Sequence, residues 1–158
     1  MAEGDRPYLV EDSSGRFVQR TKGWAGIHFA SDTAITITTA GTYYVWATAT
    51  ESIAKGITTT VATGRINLTV AGVYLINFHV SFVGTATEKI TAAVHKSGTI
   101  DPAGAVVIEV VGGTDEEQIS GSCLVSSDGT NYVDLRFTSS SSSTSITVKR
   151  AGLNAVQI

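Results

Sequence analysis

His28, His79 and His95 are the side chains of this sequence best suited to hold a metal ion or move a proton near neutral pH. They lie far apart in sequence, and no Cys or His stands at ligand spacing beside any of them, so no zinc site is expected. Asp115-Glu116-Glu117 offers carboxylate oxygens to calcium, yet one short run supplies too few ligands, and a solvated loop accounts for it. Asp128-Gly129-Thr130-Asn131 raises the same question, and turn chemistry explains every residue in it. Gly112-Gly113 is likewise read as a turn. The sequence holds no Gly-x-Ser-x-Gly elbow, no phosphate-cradling glycine loop ahead of a helix, and no convergent acid, base and nucleophile. The expectation is a protein that is not an enzyme, with no cofactor and no metal.

The remaining reactive types have structural readings. Cys123 is the single cysteine, which rules out an intrachain disulfide, and a buried thiol acting as a small hydrophobe is expected. Asp134 and Arg136 alternate with Val133, Leu135 and Phe137, so they share the outward face of a strand and are expected to pair weakly or not at all. Trp24 follows a charged N-terminal stretch and is read as its anchor. Trp46, within Tyr43-Tyr44-Val45-Trp46, belongs either to the core and subunit contacts or to an exposed aromatic strand that binds sugar or protein. Asn67-Leu68-Thr69 matches a glycosylation sequon without an export signal to give it meaning.

Charge excludes further classes. The 158 residues are 42% hydrophobic but only 16% charged, below the roughly 25% of ordinary soluble domains, and the net charge is −3. Lys and Arg are scattered, so there is no basic field to capture nucleic acid. No stretch approaches the ~18 consecutive apolar residues of a membrane span. The N-terminus carries acids where a signal peptide needs a basic start, so folding in the cytoplasm that makes the protein is expected.

Of the 11 basic and 14 acidic residues, eight fall within residues 1–22, which sets this arm apart from residues 23–158. In the arm, Tyr8-Leu9-Val10 and Phe17-Val18 flank the turn-forming run Glu11 to Gly15, the pattern of a small hairpin. From Trp24 onward the chain reads as strands rich in Thr, Val, Ile and aromatics, placed near 26–38, 42–50, 57–70, 72–83, 88–96, 105–111, 117–126, 131–138 and 144–158. Ala40-Gly41, Ala71-Gly72, Ser97-Gly98, Gly112-Gly113 and Asp128-Gly129 punctuate them. The run Ser139 to Ser143 is read as a surface loop. Repeated short strands of this spacing predict an antiparallel two-sheet sandwich.

Residues 72–82 decide the architecture. Tyr74, Ile76, Phe78, Val80 and Phe82 share one wholly apolar face, which must be core. Val73, Leu75, Asn77, His79 and Ser81 share the other, which is uncharged and half apolar. An antiparallel sheet normally shows water a polar second face, so this one predicts a protein partner. The terminal Val156-Gln157-Ile158 is equally apolar and is expected in a central strand, since chain ends fray unless held.

On these residues the chain resembles the tumour-necrosis-factor and complement globular-head superfamily. Ala71 to Val80 looks like its Gly-x-Tyr strand; Ser120 to Leu124, Asp128-Gly129 and Tyr132 to Leu135 are similar to its later pair; Leu153 to Ile158 resembles its last strand. The resemblance spans roughly residues 57–158. It implies an all-β, TNF-like jelly roll that forms a homotrimer, with Leu75, Asn77, His79, Ile119, Val156 and Ile158 on the axis side. His79 is then a hydrogen-bonded interface histidine, the alternative being three copies around an ion. Collagen-like repeats, disulfides and an export signal are missing, which resembles the prokaryotic and phage members. That implies a virion component: a decoration or head-fibre trimer on the outer surface of a bacteriophage capsid, docking on the major capsid protein through Tyr8, Leu9, Val10, Arg16 and Phe17. The alternative is the trimeric receptor- or carbohydrate-binding tip of a tail fibre, contacting a host-surface glycan through loops near 97–104, 112–117 and 139–144.

Overall fold

Period-two alternation of apolar and polar residues governs the computed structural model, which describes residues 8–11, 17–20, 22–29, 32–46, 49–84, 88–110 and 115–158. Two short strands, β1 (Tyr8–Glu11) and β2 (Phe17–Arg20), form an antiparallel hairpin with Tyr8 opposite Arg20, as the N-terminal pattern predicts. This hairpin is a two-stranded sheet of its own. The chain continues as β3 (Trp24–Phe29), β4 (Thr33–Ile37), β5 (Tyr44–Val45), β6 (Glu51–Lys55), β7 (Thr58–Thr60), a 3-10 turn (Val61–Thr63) and β8 (Arg65–Leu68). The long strands follow: β9 (Ala71–Gly84), β10 (Glu88–Lys96), β11 (Thr99–Val110), β12 (Glu117–Asp128), β13 (Asn131–Ser139) and β14 (Thr144–Gln157).

Two antiparallel sheets face each other, in the orders β12-β9-β14-β3-β6 and β11-β10-β13-β8-β7, with β4 added to β14 and β5 added to β13. From β8 to β10, and again from β11 to β14, successive strands alternate between the sheets, which is jelly-roll connectivity. The inward face of β9 is buried throughout, from Tyr74 to Phe82, and meets Val94, Val133, Leu135 and Phe137 of the other sheet within one core cluster. Trp46 lies in this core rather than on an exposed strand. Its ring stacks on Phe29, with centroids 3.4 Å apart, and meets the edge of Phe137.

The boundaries differ from expectation where one long strand takes two partners in succession. The strand expected at 26–38 is two strands, because β14 carries β4 along Thr144 to Val148 and β3 along Ala151 to Val156. The strand expected at 57–70 is broken by the 3-10 turn, which ends on Gly64 at a left-handed φ of 61°. Ala71 and Gly72 lie inside β9 rather than in a turn. The loop expected at 97–104 is mostly strand: Ser97-Gly98 alone makes the turn, and β11 starts at Thr99 as an edge strand, the position in a sheet where Pro102 is tolerated. Gly112 and Gly113 lie outside the described residues.

Buried polar groups tie the strand ends. The Gln157 side chain accepts a hydrogen bond from the Gly23 amide at 3.1 Å and donates to the Ala71 carbonyl at 3.1 Å, which holds the final strand in place. Glu88 is buried at the start of β10, where its carboxylate accepts hydrogen bonds from the Ser139 and Thr144 hydroxyls. Ser140 adds backbone and side-chain bonds to Lys89, so the serine run is an exposed loop fastened at both ends.

Asp134 and Arg136 depart from the expected weak pair. Both lie on the outward face of β13, yet Asp134 is fully buried there and receives two hydrogen bonds from the Arg136 guanidinium, at 2.8 and 3.0 Å. Arg65 approaches the same carboxylate at 3.6 Å while stacking over Tyr132. His95 stands opposite Asp134 in register, with its Nδ1 3.2 Å from the Gly98 carbonyl and Tyr43 against its ring. Burial is the main cause holding the His95 pKa below its usual value, and the Arg136 charge adds to it. The Gly98 hydrogen bond and the Asp134 charge oppose the shift. A base depressed in the folded state is neutral there, so its contribution is complete above the ordinary value of about 6.5 and is lost as pH falls through the folded pKa. Thermal unfolding between pH 7 and 5 is therefore expected to show a steeper loss of Tm in the native chain than in His95→Gln; parallel curves would refute this.

Candidate subunit interface

The outward face of the β12-β9-β14-β3-β6 sheet is laid out by register. One row runs Leu124, Leu75, Val156, Trp24, Lys55; the next runs Ser122, Asn77, Asn154, Gly26, Ile53; a third runs Ser120, His79, Gly152, His28. Ser126 stands opposite Val73, and the Ile158 amide donates to the Val73 carbonyl at 3.0 Å. On β12, β9 and the end of β14, no formally charged side chain projects from these rows; charge appears at the margins, at Lys55, Asp128 and Arg150.

Among the described residues, five of the seven exposed large hydrophobics belong to this one face: Ile53, Val73, Leu124, Val156 and Ile158, each between 42% and 59% accessible. Half-buried Leu75 and Trp24 lie among them. Scattered exposed hydrophobics are ordinary, whereas a contiguous group on a central, uncharged sheet face marks an interaction surface. Removing such side chains from water is worth up to about 1.5–3 kcal/mol each.

Leu75, Asn77, His79, Val156 and Ile158 thus come together on the face expected of them. Ile119 does not. It is buried opposite Val80, on the inward side of β12 with Cys123 and Val125, and Leu124 takes the outward place beside Leu75. The inward positions of Cys123 and Val125 fix the parity of β12, and that alternation is the signal that assigns Leu124 outward and Ile119 inward. Tyr8, Leu9, Val10 and Phe17 lie in the hairpin strands, but their side chains, like Arg16 altogether, fall outside the described residues.

Two histidines distant in sequence meet here. His79 and His28 stand on either side of Gly152, and the His79 ring lies over that glycine so closely that a Cβ there would come within 2.5 Å of Cε1. The Asn154 amide fills the space over Gly26 in the same way. The Asn77 and Asn154 side chains stand opposite each other across β9 and β14. No set of three metal-ligating side chains occurs among the described residues.

In this architecture the chain has the fold of the complement globular head and the TNF-like proteins. It superposes on the globular domain of zebrafish complement 1qA with a TM-score of 0.56 and 12% identity, over 87% of this chain and 97% of that one. The Eiger TNF of S. frugiperda gives 0.57 at 9% identity, over 85% and 92%, and murine APRIL gives 0.57 at 8%, over 85% and 99%. No family model matches the sequence, and no curated protein matches it. At such identities the likeness is one of fold.

The contact at Gly152 is with the far end of a side chain that can swing aside. Gly152→Ala is expected to move the His79 ring resonances in NMR while changing stability by about 1 kcal/mol or less in chemical denaturation; a larger loss would mean that the imidazole is locked.

Proposed function

We propose that this protein is a non-catalytic structural protein that assembles as a homotrimer through the outward face of the β12-β9-β14-β3-β6 sheet. The observation that carries this reading is the uncharged, half-apolar character of that face around Leu75, Leu124, Val156 and Ile158. Within the trimer, the three N-terminal hairpins dock on the outer surface of a bacteriophage capsid, with the major capsid protein as partner, and the jelly rolls project outward to stabilise the shell. Support for the arm's role is its separate sheet and its concentration of charge. Threefold symmetry lets the arms act together: arms that each bind at ~1 mM, about −4 kcal/mol, gain roughly 10² to 10⁴ in avidity when linked. The tail-fibre alternative draws less support, because residues 99–104 are strand and the serine loop is fastened to Glu88 and Lys89.

Sedimentation equilibrium at micromolar concentration is expected to give three times the 16.5 kDa protomer mass, and the double substitution Leu75→Glu, Val156→Glu to give the protomer alone. A monomeric native chain would refute the assembly. Deleting residues 1–22 is expected to leave the trimer intact and to abolish co-sedimentation with capsids; retained binding would remove the arm from the mechanism.

A further inference from the structure

Two of the three histidines of the chain, His28 and His79, stand on the outward face that the proposed trimer covers. Both are exposed in the single protomer, and two strand spacings, roughly 10 Å, separate their backbones across Gly152. With no side chain at Gly152, the His79 ring lies low over the backbone: its Nδ1, Cε1 and Nε2 are all within 3.2 Å of the place a Cβ would take. A sister copy can therefore close over the ring.

Few charges face that imidazole. On β12 its register partner is Ser120, and on β14 it is Gly152. A β-bulge at Lys149 shifts the register of β14 between Val148 and Arg150, which turns Arg150 outward opposite Ser81. Arg150 lines one groove with His79 and Glu116, so an imidazolium at His79 meets one charge of each sign at the margin of the face. Beyond Gly152 is His28 on β3, and Glu51 on β6 stands opposite His28 in register. The rows of Leu75 and Asn77 hold no carboxylate that could pair with a protonated His79.

We infer that His79 makes the homotrimer sensitive to pH: the copies close over neutral imidazoles, and acid releases them. This rests on the trimer proposed above and needs nothing of the capsid reading. In the separate protomer His79 is exposed, and its charged form is hydrated; on the covered face the same charge loses that hydration with no carboxylate of its own to replace it. Because a glutamate stands opposite His28, the response is assigned to His79, whose own register partners are uncharged. A base whose neutral form is favoured by assembly stabilises the assembly fully above the ordinary histidine value of about 6.5, and that contribution is lost as pH falls below it. For each imidazole held neutral on assembly, pH 5.5 favours dissociation roughly tenfold, so three copies compound to about 10³ in the dissociation constant. In a three-body equilibrium this is about a thirtyfold rise in the concentration of half-dissociation.

Sedimentation velocity over a concentration series at pH 7.5 and 5.5 is expected to show that rise as tenfold or more, reversibly and with unchanged far-UV circular dichroism. His79→Gln, polar but without a basic nitrogen, is expected to hold the trimer at both pH values, whereas His95→Gln, on the opposite sheet, is expected to dissociate in acid as the native chain does. The inference is overturned by a native trimer indifferent to pH, by a full acid response in His79→Gln, or by loss of dichroism together with the trimer, which would assign the response to unfolding. Should His79→Gln fail to assemble at pH 7.5, NMR of native protein with carbon-13-labelled histidine decides: the His79 ring signal is expected to move only as trimer is lost, and its titration within an intact trimer overturns the inference. A native chain already monomeric at pH 7.5 refutes the assembly itself, a result distinct from a trimer that ignores acid.

Discussion

From Ile146 beside Gly84 to Gln157 beside Tyr74, β14 is hydrogen-bonded along β9, and each strand is paired again on its far edge, β9 by β12 and β14 by β3 and β4. Backbone groups at the centre of such a sheet are satisfied on both sides, so neither strand can slip by one residue without reversing every side chain on it. The inward set, Tyr74 to Phe82 on β9 with Ile146, Val148, Leu153 and Ala155 on β14, fills the core. Everything on the outward set follows from that register, including which hydrophobic side chains are left facing out.

The outward face consequently has two ends with different physics. Around Leu75 and Val156 it is apolar and uncharged, a surface that gains by being covered. Around Ser81 and Arg150 it is concave, polar and charged, and the bulge at Lys149 separates the two by resetting the alternation of β14. Small residues make the middle: Gly152 leaves room for the His79 ring and Gly26 for the Asn154 amide, and a Cβ at either place would push that side chain aside.

On the opposite sheet, polarity is handled by pairing instead of exposure. Asp134 is buried at the cost of its hydration, and the bidentate Arg136 contact with Arg65 nearby offsets that cost. Glu88 uses its carboxylate to close the loop that leads into β14, so the serine-rich link between β13 and β14 has defined ends. These contacts explain how a chain with few charges places several of them in positions with little water.

Much of the fold was legible in the sequence because alternation is local. The apolar ladder of residues 74–82, the N-terminal hairpin, the central place of the last strand and the turns at Ser97-Gly98 and Asp128-Gly129 are all properties of neighbouring residues. The outward placement of Leu75, Asn77, His79 and Val156 was legible for the same reason, each fixed by parity within its own strand, and Ile158 follows directly on β14. Tertiary structure alone decided what depends on partners: β14 is long enough to take two strands along one edge, which split the expected strand at 26–38, and β12 set Ile119 inward and Leu124 outward. It also carried His28 to the side of Gly152 opposite His79, enclosed Asp134, and used a single bulge to set Arg150 opposite Ser81. Such juxtapositions arise from register between strands distant in the chain, and no local pattern of residue types encodes them.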